Sequence, residues 1–287
     1  MNIALIGTGR LGASLARALP PGMFSLKALH DRDGAAARRC RRRIGRGRVV
    51  RTAAEAAAAG DVILLCVPDR AVAEVAEVLA RAPLRWNGKI VLHTSGALSS
   101  QTLGPLKRAG AAVGSMHPAQ SFAGPETPPS RFRGVFFAVE GDPKAAAAAR
   151  RLARSVGGRP FPIGAGDKAL YHAACSLASN MLVPLFDRAC ALLEETGIRP
   201  RHAARILLPL VEGTVENLKG LDRARALTGP IARGDKETVR LHLESLRGRK
   251  RDDRIYRLLG AQALVLAERR GVDQKTVKAL ARRLAGT

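Results

Sequence analysis

The sequence predicts an α/β fold: a doubly wound, mostly parallel sheet followed by an all-helical region. Three features carry that expectation. Near the start, an aliphatic run breaks into a glycine-rich turn and then into helical spacing. Apolar strand-like runs then alternate with Ala- and Arg-rich helical runs as far as residue 163, the pattern of a sheet covered on both faces. From residue 168 onward the alternation stops and long amphipathic runs take over.

The opening strand, Asn2-Ile3-Ala4-Leu5-Ile6, runs straight into Gly7-Thr8-Gly9-Arg10-Leu11-Gly12, and residues 13–19 take up helical spacing. In a strand, turn and helix of this kind, Gly7 allows the tight turn, Gly9 lets backbone approach a pyrophosphate, and Gly12 lets the helix pack on the strand. The helix start, with Thr8, Arg10 and Leu11 around it, faces the phosphates. This is the fingerprint of a Rossmann dinucleotide-binding domain. Asp31 ends the run at 24–30, about twenty residues past Gly12, where an acid that bonds the ribose hydroxyls is expected. It favours NAD, whereas Arg32, Arg38 and Arg39 just beyond could clamp the 2′-phosphate of NADP. The expected cofactor is NAD(P), with the choice between the two open.

A basic helix, a short strand at 49–51 and a short helix at 52–59 come next. The almost wholly apolar strand at 61–69 ends in Val67-Pro68-Asp69 and leads into a helix at 70–81. Ligands gather at the carboxyl ends of strands in such sheets, so Val67, Pro68 and Asp69 are expected at the nicotinamide end of the cofactor. The strand at 89–93 ends in His93-Thr94-Ser95-Gly96 and the strand at 111–116 leads to His117-Pro118. Two successive polar strand ends should face one cleft. Thr94 and Ser95 are assigned to the cofactor, His93 and His117 to substrate, and Ser95 and His117 also to catalysis.

Beyond a Pro-rich loop at 124–129, the sequence predicts a strand at 134–140, a helix at 143–156 with Asp142 as its N-cap, and a strand at 159–163. Pro160 and Pro162 confine that last strand to an edge. The domains are placed at 1–164, binding NAD(P), and 165–287, all-helical. A central helix at 170–196 is expected to be buried on several sides in a homodimer.

Composition sets further limits. The chain is 46% hydrophobic but only 3% aromatic, which describes an aliphatic globular protein rather than a disordered one. No charged leader precedes the first strand, and the strongest apolar run, at 62–67, is far too short to cross a bilayer. A soluble, cytoplasmic protein without membrane contact is expected. Cys40, Cys66, Cys175 and Cys190 lack metal or disulfide spacing, Cys66 and Cys175 reading as core thiols, and no metal is expected. The net charge of +24 attracts anions of every kind, yet the arginines are spread along the chain and no nucleic-acid-binding module accompanies them. Charge-driven nucleic-acid binding is therefore a third reading, behind the two below.

A second constellation opens the helical region. Lys168 and His172 stand four apart on one helix face, and Asn180 follows two turns later. A lysine beside an imidazole could exchange a proton during hydride transfer, which makes Lys168 and His172 candidate catalytic residues and Asn180 a substrate ligand.

The order of the glycine fingerprint, Val67-Pro68-Asp69, His93-Thr94-Ser95-Gly96, His117-Pro118, Lys168 with Tyr171-His172, Asn180 and Leu227-Thr228-Gly229-Pro230 resembles a bacterial family of Rossmann-like proteins. That family has a helical C-terminal domain of unknown function and is described as candidate NAD(P)-dependent oxidoreductases. More remotely it is similar to the 6-phosphogluconate and β-hydroxyacid dehydrogenases and to pyrroline-carboxylate reductases. The resemblance implies a 6-phosphogluconate-dehydrogenase-like helical domain and a lysine acting as acid/base, which Lys168 matches, while His172 stands where the hydroxyacid group has an asparagine. It also implies a substrate-carboxylate loop at Thr228 and Gly229, completing the partner's site in a dimer. The leading expectation is an NAD(P)-dependent oxidoreductase that moves a hydride between nicotinamide and a carbonyl or imine carbon of a small anionic substrate, held between the domains. The alternative is a dinucleotide-binding sensor or scaffold without turnover.

Overall fold

The computed structural model describes residues 1–286. The chain runs β1 (Asn2–Ile6), α1 (Arg10–Ala18), β2 (Ser25–His30), α2 (Gly34–Ile44), β3 (Arg48–Val49), α3 (Ala53–Ala59), β4 (Val62–Leu65), α4 (Asp69–Arg81) and β5 (Ile90–His93). A 3-10 turn (Ser100–Leu103) leads to α5 (Gly104–Arg108), β6 (Ala112–Pro118), β7 (Phe136–Gly141), α6 (Pro143–Ser155), β8 (Arg159–Pro162) and α7 (Lys168–Ala178). The remainder is helical: α8 (Leu182–Glu194), α9 (Pro200–Gly220), the one-turn helices α10 (Arg223–Ala226) and α11 (Gly229–Ala232), α12 (Lys236–Ser245), α13 (Lys250–Arg269) and α14 (Gln274–Ala285).

The strands form one sheet in the order β3-β2-β1-β4-β5-β6-β7-β8. Neighbours are parallel except β6 and β7, which run antiparallel. The doubly wound α/β expectation holds, and β8 with its two prolines lies at an edge. Side chains alternate across the pleat. Ile3, Leu5, Val62 and Leu64 thus join one core with α1 and α6, while Ala4, Ile6, Ile63 and Leu65 join the other with α3 and α4. Strands buried on both faces must be apolar throughout, which is why β4 reads Val-Ile-Leu-Leu with every residue buried. Asp142 is the N-cap residue of α6 as expected, but its side chain makes no capping bond. Its carboxylate instead accepts from Val113 N at 3.0 Å and from Lys107 Nζ at 2.5 Å.

By compactness the chain divides between Met181 and Leu182, later than the 164/165 boundary read from the sequence. The reason is local: α7 packs against the strand ends through Lys168, Tyr171 and His172, so it belongs with the sheet. The expected single helix over 170–196 is interrupted at 179–181. Pro184 accounts for the break, because its ring excludes a helical carbonyl at Asn180 and its own missing N–H costs nothing in the first turn of α8. In the single chain, Leu170, Leu177 and Val183 of this stretch are each at least 70% exposed. Among the described residues, the run Ala165–Glu194 is long and apolar enough by length and composition to span a bilayer, with mean hydropathy 1.3 over its best window. It nevertheless carries a buried lysine and a paired arginine. Cys40, not Cys175, is the thiol in the core.

The second unit has a small core of Ile231, Val239, Leu264, Ala267, Leu280 and Leu284. Arg188 on α8 donates Nε and Nη2 to the two carboxylate oxygens of buried Asp252 on α13, both at 2.9 Å, a bidentate pair that fixes α8 on α13.

In the first unit, Arg46 in the turn after α2 donates to the carbonyl of Ala16 at 2.8 Å and to that of Leu19, closing the C-terminal end of α1. Charged donors on otherwise unmet helix carbonyls contribute roughly 1–2 kcal/mol. Arg46→Ala should lower unfolding stability by about that amount in denaturant titration, and no loss would show that water replaces the guanidinium there.

Candidate functional site

The glycine loop meets three separate demands. Gly7 has φ +95° and a Cβ there would stand 2.4 Å from the Cys66 carbonyl oxygen; at Gly12 it would stand 2.1 Å from that of Gly7. These two glycines let the loop and α1 close onto β1 and β4. At Gly9 nothing lies within 4 Å of a Cβ, so the space above this residue is open. Helix α1 begins after Gly9 with no side-chain cap, leaving its first N–H groups for a ligand. Thr8 is held by Asp31, whose Oδ2 accepts Thr8 N at 2.7 Å and Thr8 Oγ1 at 2.8 Å.

Two cavities flank Gly9. One, of about 370 Å³, is lined by Gly7, Asp31, Arg32, Val67, Pro68 and Arg70 among others. The other, of about 220 Å³, is lined by Thr8, Arg10, Arg39, Arg43 and Pro125. The loop therefore lies at the β1/β4 reversal of strand order, where ligands collect in such sheets. Val67 and Pro68 share their cavity with Asp31 rather than with Ser95, so the structure groups them with the end of β2 and not with the second polar strand end. Asp69 opens α4 beside them, and Leu11 lies in the first turn of α1.

The second cluster lies at the ends of β5 and β6. Lys168 is 1% exposed, and its Nζ donates to Ser95 O at 2.7 Å and to Ser115 Oγ at 2.5 Å. Strand register sets His93, Ser115 and Glu140 side by side on three neighbouring strands, all on the face shared with Val91 and Val113. Glu140 is buried and accepts from Ser100 N and Oγ, both at 2.7 Å. Burial lowers the Lys168 ammonium to about 8, with Glu140 and then Asp69 opposing the shift. His93 is wholly buried, and its Nδ1 accepts from Ser95 N at 3.2 Å. Burial, then the Lys168 charge, hold His93 down at about 4 and His117 at about 3.

His117, Tyr171 and His172 are half-buried; His117 and His172 meet at Gly96, and Tyr171 joins them through His117. Tyr171 Oη lies 2.9 Å from His117 Nδ1, and the His117 ring stands edge-on to both Tyr171 and His172 with centroids 5.6 Å apart. A Cβ at Gly96 would fall 2.3 Å from His172 Cδ2 and 2.9 Å from His117 Nε2, so only glycine admits both rings. Lys168 and His172 share a helix face, but one is sealed inside and the other borders the opening. Ser95 Oγ is turned inward, accepting from Leu98 N at 2.9 Å, and Thr94 is buried beside it.

The other expected ligands fall at the end of α7 and in the second unit. Asn180 is exposed in the break after α7, and Thr228 and Gly229 form the start of α11 in the second unit, Gly229 at φ +90°. Sequence reasoning missed Ser100, Ser115, Glu140 and Tyr171 as site residues. Tyr171 carried a signal, one of only two tyrosines and next to His172, whereas Ser115 and Glu140 become visible only through strand register. Among the described residues no group of three His, Cys, Asp or Glu could hold a metal ion.

Residues 1–118 match the family model of a Rossmann-like domain, and residues 135–263 match a domain of unknown function, DUF2520. The chain carries a Rossmann-like domain followed by a DUF2520 domain. The cluster at Gly96 takes Ser95, Ser115 and His117 from the Rossmann-like match and Lys168, Tyr171 and His172 from the DUF2520 match. No curated protein matches the sequence. Among solved structures, the chain is similar to a Bacteroides fragilis protein designated a candidate NADP oxidoreductase, at 22% identity and TM-score 0.74 over 91% of this chain and 97% of that one. It is similar to a reductive aminase from Aspergillus terreus solved with NADPH and ethyl-5-oxohexanoate, at 18% identity and TM-score 0.64 over 99% and 92%. A 1-pyrroline-5-carboxylate reductase from Streptococcus pyogenes aligns at 15% identity and TM-score 0.62 over 98% of each chain. At such identities the likeness concerns the fold of the Rossmann-like and DUF2520 domains.

The glycines of the Rossmann-like domain give a direct test. Gly12→Ala should lower the melting temperature by several degrees, since the added methyl meets backbone. Gly9→Ala should leave it unchanged while weakening dinucleotide binding; equal melting losses would show that the space above Gly9 is filled by the protein itself.

The buried histidines set a pH dependence with a definite sign. Their folded-state values, about 4 and about 3, lie below the ordinary 6.5, so as pH falls the unfolded chain takes up these protons first. Their contribution is fully present above about pH 6.5 and is lost progressively toward pH 4 for His93 and pH 3 for His117. Denaturant midpoints should therefore drop from about pH 7 to about pH 5, and less so in His93→Gln/His117→Gln. Identical slopes would place the acid sensitivity in other groups.

Proposed function

We propose that the chain is an oxidoreductase that uses a nicotinamide dinucleotide to reduce, or in reverse to form, a carbonyl or imine carbon in a small anionic compound. The observation that carries this reading is the glycine loop, with Gly7 and Gly12 closed against backbone, Gly9 open and α1 uncapped. The NADP-linked names of the similar structures support it. Gly7 to Gly12 hold the pyrophosphate, Asp31 faces the adenosine ribose, and Arg10, Arg39 and Arg43 add positive charge beside the loop. A reduced nicotinamide, when bound, supplies the hydride.

The chain's own residues do the rest. Lys168, closed off from solvent, fixes the turn at Ser95 and Gly96 against β6. His117 and His172 border that turn and stay with it because no larger residue than Gly96 fits between them. The net charge of +24 draws an anionic substrate toward the protein. A homodimer through the second unit belongs to the same reading. Exposed Leu208, Leu210 and Leu218 on α9 and Leu258, Leu259 and Val265 on α13 are more apolar surface than a lone domain usually presents.

Titration with NADH and NADPH by cofactor fluorescence tests the reading. One cofactor should bind saturably, Gly9→Asp should abolish it, and added salt should weaken it only moderately. Binding that survives Gly9→Asp and disappears with salt would mean a basic surface and no dinucleotide site.

A further inference from the structure

Resting on the oxidoreductase reading, we propose that Tyr171 is the proton donor to a neutral carbonyl oxygen and that His117 is the positioning residue behind it, while Lys168 is a buried tie that never meets substrate.

The argument begins with what each candidate donor has left to give. Lys168 spends two of its three N–H groups on Ser95 O and Ser115 Oγ and is 1% exposed, so no substrate atom reaches it without taking the β5 end apart. Tyr171 and His172 follow on the same helix face and are half-buried, His172 beside Gly96 and Tyr171 against His117. Of these two, Tyr171 has a hydrogen-bonding partner behind it, His117 Nδ1 at 2.9 Å, and its ring is held by Phe161 on the other side with centroids 6.0 Å apart. His172 has ring contact alone.

The surroundings then select the substrate class. Burial, with Cys175 adding to it, raises the Tyr171 phenol above its ordinary value, so it stays protonated at neutral pH and gives its proton only to a strong base. The oxygen of a reduced carbonyl is such a base. An iminium is already a cation, and the burial that, with the Lys168 charge, keeps His117 neutral opposes it here. Among the described residues, no hydrogen bond joins a carboxylate to Tyr171, His117 or His172. The acids that act on this cluster's lysine are Glu140 and then Asp69.

The step balances as follows. The carbonyl carbon takes up hydride and its π pair moves to oxygen. The Tyr171 O–H bond breaks as the product O–H bond forms. The phenolate takes the Nδ1 proton of His117, and His117 Nε2 takes a proton from water. The carbonyl is reduced, and one solvent proton is consumed. This requires the His117 tautomer protonated at Nδ1, donating to Tyr171 Oη, so that the Oη proton is directed away from His117, to Cys175 or to substrate.

Nitrogen NMR of the imidazoles in the protein without cofactor reads that tautomer, with His117→Gln to assign the signals. We expect the Nδ1-protonated form in wild type and a changed nitrogen shift in Tyr171→Phe. Cofactor affinity in Tyr171→Phe should stay within about threefold, while reduction of ethyl 5-oxohexanoate or pyruvate falls at least ~100-fold, the range typical of a lost general acid. In His117→Gln, turnover should fall less and its pH profile should shift. Wild type should also favour these carbonyls over 1-pyrroline. An Nε2-protonated His117 indifferent to Tyr171→Phe, a variant that keeps pace with wild type, or a preference for the imine would each overturn the assignment. A wild type that binds neither NADH nor NADPH would overturn the oxidoreductase reading itself, and is recognised because the unmodified chain is then silent.

Discussion

A lysine ammonium taken out of water is tolerable only where its protons find acceptors and an opposite charge stands near. Lys168 meets that condition with the Ser95 carbonyl, the Ser115 hydroxyl and, next in the sheet's row, Glu140. The requirement fixes three elements at once: the turn after β5, the middle of β6 and the first turn of α7. Removing any of them leaves an unpaired buried cation. Because residues three and four further along a helix share its face, pinning Lys168 also places Tyr171 against His117 and His172 over Gly96. His93 and His117 then remain neutral beside the cation they help to enclose.

Much of this was readable in the sequence where the information is local. The glycine fingerprint specifies its own geometry within a dozen residues, and the structure gives each glycine surroundings that match the role its position implies. Pro160 and Pro162 marked the sheet edge for a similarly local reason, the missing N–H. The i, i+4 spacing of Lys168 and His172 indicated a shared face but not depth, which depends on what packs above each. The row of His93, Ser115 and Glu140 was beyond reach, since it needs the parallel register of β5 with β6 and the antiparallel register of β6 with β7 together. The Tyr171 partner lies 54 residues earlier in the chain. The break at 179–181 could have been read from Pro184, had its reach back to Asn180 been weighed against the apolar content of the run.

The family boundary and the physical boundary do not coincide. The DUF2520 match begins at residue 135 and so takes in β7, β8 and α7, all of which pack with the sheet in the unit that ends at Met181. Glu140 and Lys168 come from that match, whereas Ser95, Ser100 and Ser115, which satisfy them, come from the Rossmann-like one. A segment cut at the family boundary would carry a lysine and a glutamate whose partners were left behind, and each would have to return to water. The polar cluster at Gly96 is therefore a property of the two matched regions together. Helix α7 belongs to the DUF2520 match by sequence and to the sheet by packing.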